Sequence, residues 1–513
     1  MQNIHNFIHS DRHIRSHRHS FIHRTLKRAT VLWLLSVSMH NGFSATPISI
    51  NAKAVTKPTD IGSQQRFNEL PIAAPEQNPL SSEPKTAATP TTTNNTMDVD
   101  AKFLLSQPTL LQQAMLSVIA EQNMAGIQEI LPIYIQWSQH DAETALLAEA
   151  MLARYQHQPK IAIANFSQLL RTYPQNDMLR WQLTLSLVEN RQFKEAQHHL
   201  EQLQGSQQIP PVLIANYRQW IDKQADIQWQ LAATIVQDNN INKAPDDKHY
   251  GRWTFDDPVD DKALVYSLQL GKQWQHRGGF FNQLQASYTA KNYHKQTQYN
   301  DHSLRVSAGI GWADAKQQYQ LAPIWTYRLY GNRPYSRSVG LRINSRHQLS
   351  DNDYLYSAAE VGRVHHHEDK RQFLNNRNYL ASTTWLHQLD DNQSISAGID
   401  YYRQYKTRDT DDSYQQKGLR LGGQKNWQQG QGLGTQLGAS YAVRDYEGAS
   451  FFSNGQKRND KEYAINASIW HEKLNFANVL FPKLTFSHQR LDSNDASKSY
   501  ALNNIGAELE MRF

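Results

Sequence analysis

The chain has 513 residues, 39% of them hydrophobic, and no cysteine, which excludes a disulfide scaffold and a thiolate metal site. Its formal charge of +6 sits partly in the first 28 residues and gives no reason to expect a nucleic-acid partner. No run of about 18 apolar residues follows residue 40, which excludes a helical membrane protein but not a β-barrel, whose lipid face uses only every second residue.

Residues 1–45 read as a secretory signal. Arg12, Arg15, Arg18, Arg24, Lys27 and Arg28 form a basic region, an apolar stretch runs from Ala29 to about Met39, and Phe43-Ser44-Ala45 offers a cleavage site. His5, His9, His13 and His17 would share one helical face, but they lie in a segment expected to be discarded. Residues 46–100, rich in Pro and Thr, read as a disordered tether.

From about Ala101 the apolar period becomes helical, with Leu104, Leu105, Leu110, Leu111, Met115, Val118 and Ile119. Ala162 and Ala196 stand 34 residues apart, as do Phe166 and Leu200, and Leu169 and Leu203. That period, with Pro174 closing a helix, predicts a tetratricopeptide-like repeat domain over 101–225. A generic helical bundle is the alternative. Single helix pairs cannot bury their apolar stripes, so stacked pairs share one core and leave a groove.

Near Asp226 the period falls to two, and residues 226–513 are expected to form an antiparallel transmembrane β-barrel of about 14 strands. Leu304, Val306, Ala308, Ile310 and Trp312 alternate with Arg305, Ser307, Gly309 and Gly311. Ile505, Ala507, Leu509, Met511 and Phe513 alternate with Gly506, Glu508, Glu510 and Arg512. Short connections are expected near 276–279, 313–317, 350–352, 390–392, 428–430 and 474–478. Longer polar ones are expected near 238–262, 291–301, 330–337, 366–376, 405–413, 445–460 and 490–499. An even strand count puts the first strand's start and the last strand's end on one side, with the helical domain. The terminal Phe513 resembles the signal read by the barrel-assembly machinery, a further expected partner. Pro323 and Pro482 fall inside strands, so a bulge or a strand end must absorb each lost donor.

No G-x-S-x-G, H-E-x-x-H, Walker or dinucleotide signature occurs, and neither an enzyme nor a cofactor is expected. His365-His366-His367-Glu368-Asp369 is the one cluster of metal-ligand types. Consecutive strand residues face opposite ways, so it reads as a solvated loop edge, with a metal or haem contact as the alternative. Arg305, Arg342, Arg346, Arg420, Arg444 and Arg512, with Asp400, Glu508 and Glu510, are expected to face the lumen. On the lipid face at midplane each cation would cost roughly 2–4 kcal/mol. Such groups can line a conduit, or pair to stiffen the wall.

The architecture, together with Gln237-Asp238-Asn239-Asn240-Ile241-Asn242-Lys243-Ala244-Pro245 after the first strand, resembles the surface lipoprotein assembly modulators (Slam proteins) of Gram-negative bacteria. The resemblance covers about 101–513. It implies an outer-membrane translocator with its helical domain in the periplasm. Its partners would be a cargo lipoprotein or a secreted haem- or iron-binding protein, periplasmic chaperones and outer-membrane lipid. An exopolysaccharide exporter, a porin and a barrel enzyme are the competing readings; two clear repeats are few for the first, and the helical domain is unexplained by the second.

Overall fold

The computed structural model describes residues 101–511 apart from Arg252, 428–431 and 475–479. The expected signal and tether, Arg512 and Phe513 lie outside the described residues, as does the side chain of Glu510.

Eight α-helices are described before the barrel: α1 (Ala101–Ser106), α2 (Pro108–Ala120), α3 (Met124–Tyr134), α4 (Ala142–Tyr155), α5 (Pro159–Thr172), α6 (Asp177–Glu189), α7 (Phe193–Gln202) and α8 (Pro211–Ala225). Local chemistry sets their starts. Asn123, Asp141 and Asn176 cap α3, α4 and α6 by accepting from the backbone N–H groups of Gly126, Thr144 and Leu179. Pro108, Pro159 and Pro211 open α2, α5 and α8, where a missing N–H costs no helical bond. All six residues of the 34-residue period are buried, Ala162 and Phe166 against Ala196 and Leu200 within one core. The single helix α8 closes that core: Tyr217 meets Trp181 edge-on at 5.2 Å, and Trp220 meets Phe193 at 5.4 Å.

One α7 side chain makes this domain acid-sensitive. Burial, reinforced by the neighbouring Arg180 and His198 charges, pushes the His199 imidazole down to about 4. The folded domain keeps His199 neutral where the unfolded chain, titrating near 6.5, takes up a proton. Stability therefore falls as pH drops from about 6.5 to about 4. We expect a lower melting midpoint for the helices at about pH 5 than at about pH 7, and a His199→Gln chain to lose most of that difference. An unchanged difference would clear His199 of the effect.

Fourteen strands among the described residues close into an antiparallel barrel. They are β1 (Gln228–Asp238), β4 (Asp261–Gln275), β5 (Phe280–Tyr293), β6 (Asp301–Ala313), β7 (Gln317–Tyr330), β8 (Arg333–Gln348), β9 (Asp353–His366), β10 (Asn376–Asp390), β11 (Gln393–Lys406), β12 (Tyr414–Trp427), β13 (Leu433–Ala449), β14 (Lys457–His471), β15 (Leu480–Ser493) and β16 (Tyr500–Met511). β2 (His249–Tyr250) and β3 (Trp253–Thr254) form a separate two-stranded ribbon in the first long loop. Each barrel strand pairs with its chain neighbour, and β1 closes on β16 from Leu231↔Met511 to Asp238↔Asn504. The outward register is an apolar band: Ile399, Leu437 and Ile505 are 64%, 64% and 68% exposed, which only lipid can cover. Trp274, Phe280 and Trp427 ring its short-turn end, and Tyr379 and Tyr405 its loop end.

Two expectations meet the ladder differently. No long connection exists at 330–337. β7 and β8 are joined by Gly331 and Asn332 alone, at φ of 57° and 62°. Two consecutive residues at positive φ give the tight turn whose twist matches that of the flanking strands, and glycine and asparagine are the residues that tolerate it. The prolines are absorbed without a bulge at either site. Pro323 lies where the β6–β7 pairing breaks between Ser307↔Ile324 and Ile310↔Leu321, and Pro482 lies at the start of β15, before its pairing with β14 begins at Lys483.

Candidate functional site

The barrel has a rim contacted by the helices, a charged inner wall and a loop folded inward at the far mouth. At the short-turn rim, the helical domain meets the turns through polar contacts. Lys160 of α5 pairs with Asp314 at 2.7 Å and lies over the Trp312 ring. Glu195 of α7 accepts from the Gly278 N–H at 2.6 Å. Arg191, at φ 58° in the turn between α6 and α7, donates to Gln318 at 3.4 Å. Burial alone would raise the Asp314 carboxyl, but Lys160 and the N–H groups of Lys316 and Gln317 outweigh it and hold it below the usual value of 3.8. Its contribution is therefore present above that value and is lost only as pH falls through the lower, folded one. Lys160 is largely exposed, so the pair is worth at most about 1 kcal/mol. Lys160→Glu should speed hydrogen exchange of the Lys316 and Gln317 amides by up to about fivefold; unaltered exchange would mean the rim is held by the other contacts.

The inner wall follows from register. Arg305 and Arg342 converge on one carboxylate, Glu360, at 2.7 and 3.3 Å. Arg305 stands on β6 and Glu360 on β9, so this pair reaches past two intervening strands. Arg342 also donates to Asn344 at 2.7 Å. Asp400 accepts from Ser382 and from Arg420, each at 2.6 Å, and Arg420 donates onward to Thr384 at 3.0 Å. Arg444 donates to Gln416, lies over the Tyr414 ring and faces Glu462 at 3.8 Å. Glu508 accepts from Thr234 at 3.2 Å and faces Lys483 at 3.7 Å. Arg346 lies over the Tyr354 ring, and its buried Nε has no hydrogen-bond partner. The structure thus brings Arg305 and Arg342 together, and Asp400 and Arg420, and holds Arg346, Arg444 and Glu508 in separate groups. Low-dielectric burial, with Glu360 at 4% exposure, makes each such pair costly to break singly.

The partners Glu360, Glu462 and Lys483 were not singled out from sequence. On β9 the inward register holds Tyr354, Tyr356 and Ala358 before Glu360, and the outward register holds Leu355, Ala359 and Val361. Both faces are apolar there, so alternation carries little signal. Counting register back from Arg342, which stands directly opposite Glu360, would have found it.

At the far mouth the segment after β1 folds inward onto the wall. Asn240 accepts from the Ala244 N–H at 2.8 Å and donates to the Ala244 carbonyl at 3.0 Å. Asn242 does the same across the loop, accepting from the Val259 N–H at 2.9 Å and donating to the Asp257 carbonyl at 2.8 Å. These two amide clasps fix Ile241 between them, fully buried against the inward residues Val236, Ala263, Val265 and Tyr293. Beneath it Asp238 takes Lys291 at 2.7 Å and Tyr293 at 2.9 Å. Above, Tyr250, Trp253 and Phe255 pack on Phe452. His366 and His367 lie against Tyr335 and Tyr327. Among the described residues no group of three or more His, Cys, Asp or Glu is spaced to hold a metal ion.

An exposed apolar band around a closed barrel with a polar wall, carrying a tetratricopeptide-like domain on its short-turn rim, defines a transmembrane β-barrel protein of the outer membrane. Residues 228–513 match the family described as surface lipoprotein assembly modifier, and residues 97–200 match the N-terminal TPR repeats of the same family. A surface lipoprotein assembly modifier 1 of Neisseria meningitidis is 32% identical over 422 residues, covering 81% of this chain and 86% of its own. One from Moraxella catarrhalis is 29% identical, covering 84% and 86%. A hemophilin secretion modulator of Acinetobacter baumannii is 24% identical, covering 79% and 86%. The chain belongs to the surface lipoprotein assembly modifier family. That family is one of assembly factors rather than of known enzymes.

Proposed function

We propose that this protein moves a lipoprotein, or a related secreted protein, from the periplasm to the cell surface. Residues 101–225 act as a periplasmic receptor and 226–513 as the conduit. The observation that carries the reading is the seating of the helical domain on the short-turn rim, through Lys160, Arg191 and Glu195, in a chain whose two parts both match one family. A groove of stacked helices at the barrel entrance is positioned to receive a polypeptide before it reaches the wall. Arg305, Arg342, Arg346, Asp400, Arg420, Arg444 and Glu508 line the path. Breaking and remaking their pairs, and displacing Ile241, opens it. The relative named for hemophilin secretion supports a released cargo, and a haem- or iron-acquiring protein is the class of cargo proposed. Periplasmic chaperones deliver it, and the barrel-assembly machinery inserts the translocator through Phe513.

The test is co-expression with a candidate cargo lipoprotein in a host lacking both. Cargo on intact cells, read by antibody and protease shaving, or in the medium, should appear only with this protein present. Cargo that stays periplasmic beside a correctly inserted barrel would move the reading to polysaccharide or solute passage.

A further inference from the structure

The outward face carries one feature that transport of a polypeptide does not use. At the loop end of β10 and β11, Arg377, Tyr379, Tyr401, Arg403 and Tyr405 line an open depression of about 620 Å³. All five lie in the register of Ile399 and Val361, which belong to the apolar band. Arg377 stands directly opposite Arg363 in the β9–β10 ladder, and both are exposed. Two like charges in that position repel, and a cation facing lipid away from the interface is costly. Neither guanidinium makes an ion pair with a described carboxylate. Arg403 is held over the Tyr405 ring at 4.4 Å and pairs with Glu447, yet its buried Nε has no hydrogen-bond partner. Tyr379 and Tyr405 meet edge-on at 6.1 Å, so the floor is aromatic and the rim cationic. Lys406 also borders the depression, but its ammonium is committed to Asp412 at 2.5 Å.

We propose that this depression binds the phosphorylated headgroup of an outer-leaflet glycolipid, with Arg377 and its ladder partner Arg363 on the phosphate and the tyrosines against sugar and upper acyl carbons. The chemistry selects the ligand. Planar guanidiniums match phosphate oxygens in two-pronged contacts. Tyrosines at a membrane boundary present an apolar ring below and a hydroxyl above. An anion between Arg363 and Arg377 turns a repulsive pair into an attractive one. The assignment of this rim to the outer leaflet rests on the orientation proposed above, with the helices in the periplasm.

The full-length protein in detergent would be offered lipid A bearing two phosphates, the same lipid enzymatically stripped of phosphate, and inorganic phosphate alone, with binding read by native mass spectrometry. The Arg363→Gln/Arg377→Gln chain is compared with Lys272→Gln, a change at the opposite rim, and folding of each is checked by heat-modifiable migration. We expect the double change to weaken lipid A binding by about tenfold or more, the stripped lipid to bind no better than that, and Lys272→Gln to match the unaltered chain. Equal binding by the folded double variant would overturn the site. Inorganic phosphate binding as tightly as the lipid would overturn the headgroup in favour of a free small anion. Binding in detergent does not depend on cargo export, so either result leaves the export experiment to be judged on its own.

Discussion

Removing residues 101–225 is expected to abolish delivery of cargo to the cell surface while leaving the barrel inserted. The barrel closes through its own ladder, β1 on β16, and needs no helix to satisfy its backbone. The helices bury their apolar residues in two cores of their own. Among the described contacts between the two parts are an ion pair and two hydrogen bonds, Lys160 to Asp314, Glu195 to Gly278 and Arg191 to Gln318, and a lysine over the Trp312 ring. Such contacts contribute little to barrel stability. Heat-modifiable migration should therefore be unchanged in the deleted chain, and protease shaving of intact cells should find surface cargo at background. Surface cargo at the full-length level would show that the helices are not the receptor, whatever the barrel does.

Glu360→Ala is expected to destabilise the barrel by about 3–5 kcal/mol. The substitution takes away the carboxylate that Arg305 and Arg342 share, in a place where Glu360 is 4% and Arg342 6% exposed. Two guanidiniums then face each other without the charge between them, and burial leaves little water to screen their repulsion. Replacing all three with methionine should cost much less, because no buried charge is stranded. Urea unfolding of barrels refolded into vesicles, followed by tryptophan fluorescence, measures both. If the single change proves as mild as the triple one, the trio contributes little beyond packing. Under the proposed function the same trio has to separate when cargo passes, so a variant with the pair weakened, Glu360→Gln, is a direct probe of opening.

Much of this architecture is legible in the amino-acid order because it rests on local periodicity. The 34-residue spacing of Ala162 and Ala196, of Phe166 and Leu200, and of Leu169 and Leu203 marks the faces that stacked helices bury, and all six are buried. The two-residue alternation of Leu304 to Trp312 marks a strand with one face in lipid, and that strand is β6. Where period alone decides, sequence decides. At 330–337 polar composition suggested a loop, but Gly331-Asn332 turns the chain in two residues and the polar positions that follow lie in β8.

What only the tertiary structure decided is who meets whom. Register shows which positions share the inner face, but a ladder joins only adjacent strands. The pairing of Arg305 on β6 with Glu360 on β9 depends on barrel curvature and side-chain reach, neither of which has a sequence period. The Asn240-Ile241-Asn242 stretch is visible as a motif, yet its inward fold is set by Ala244 and by Val259, nearly twenty residues on. Local periodicity determined the helices, the strands and their faces; long-range closure of the barrel determined the charge groups, the inward fold of the loop after β1 and the seat of the helices.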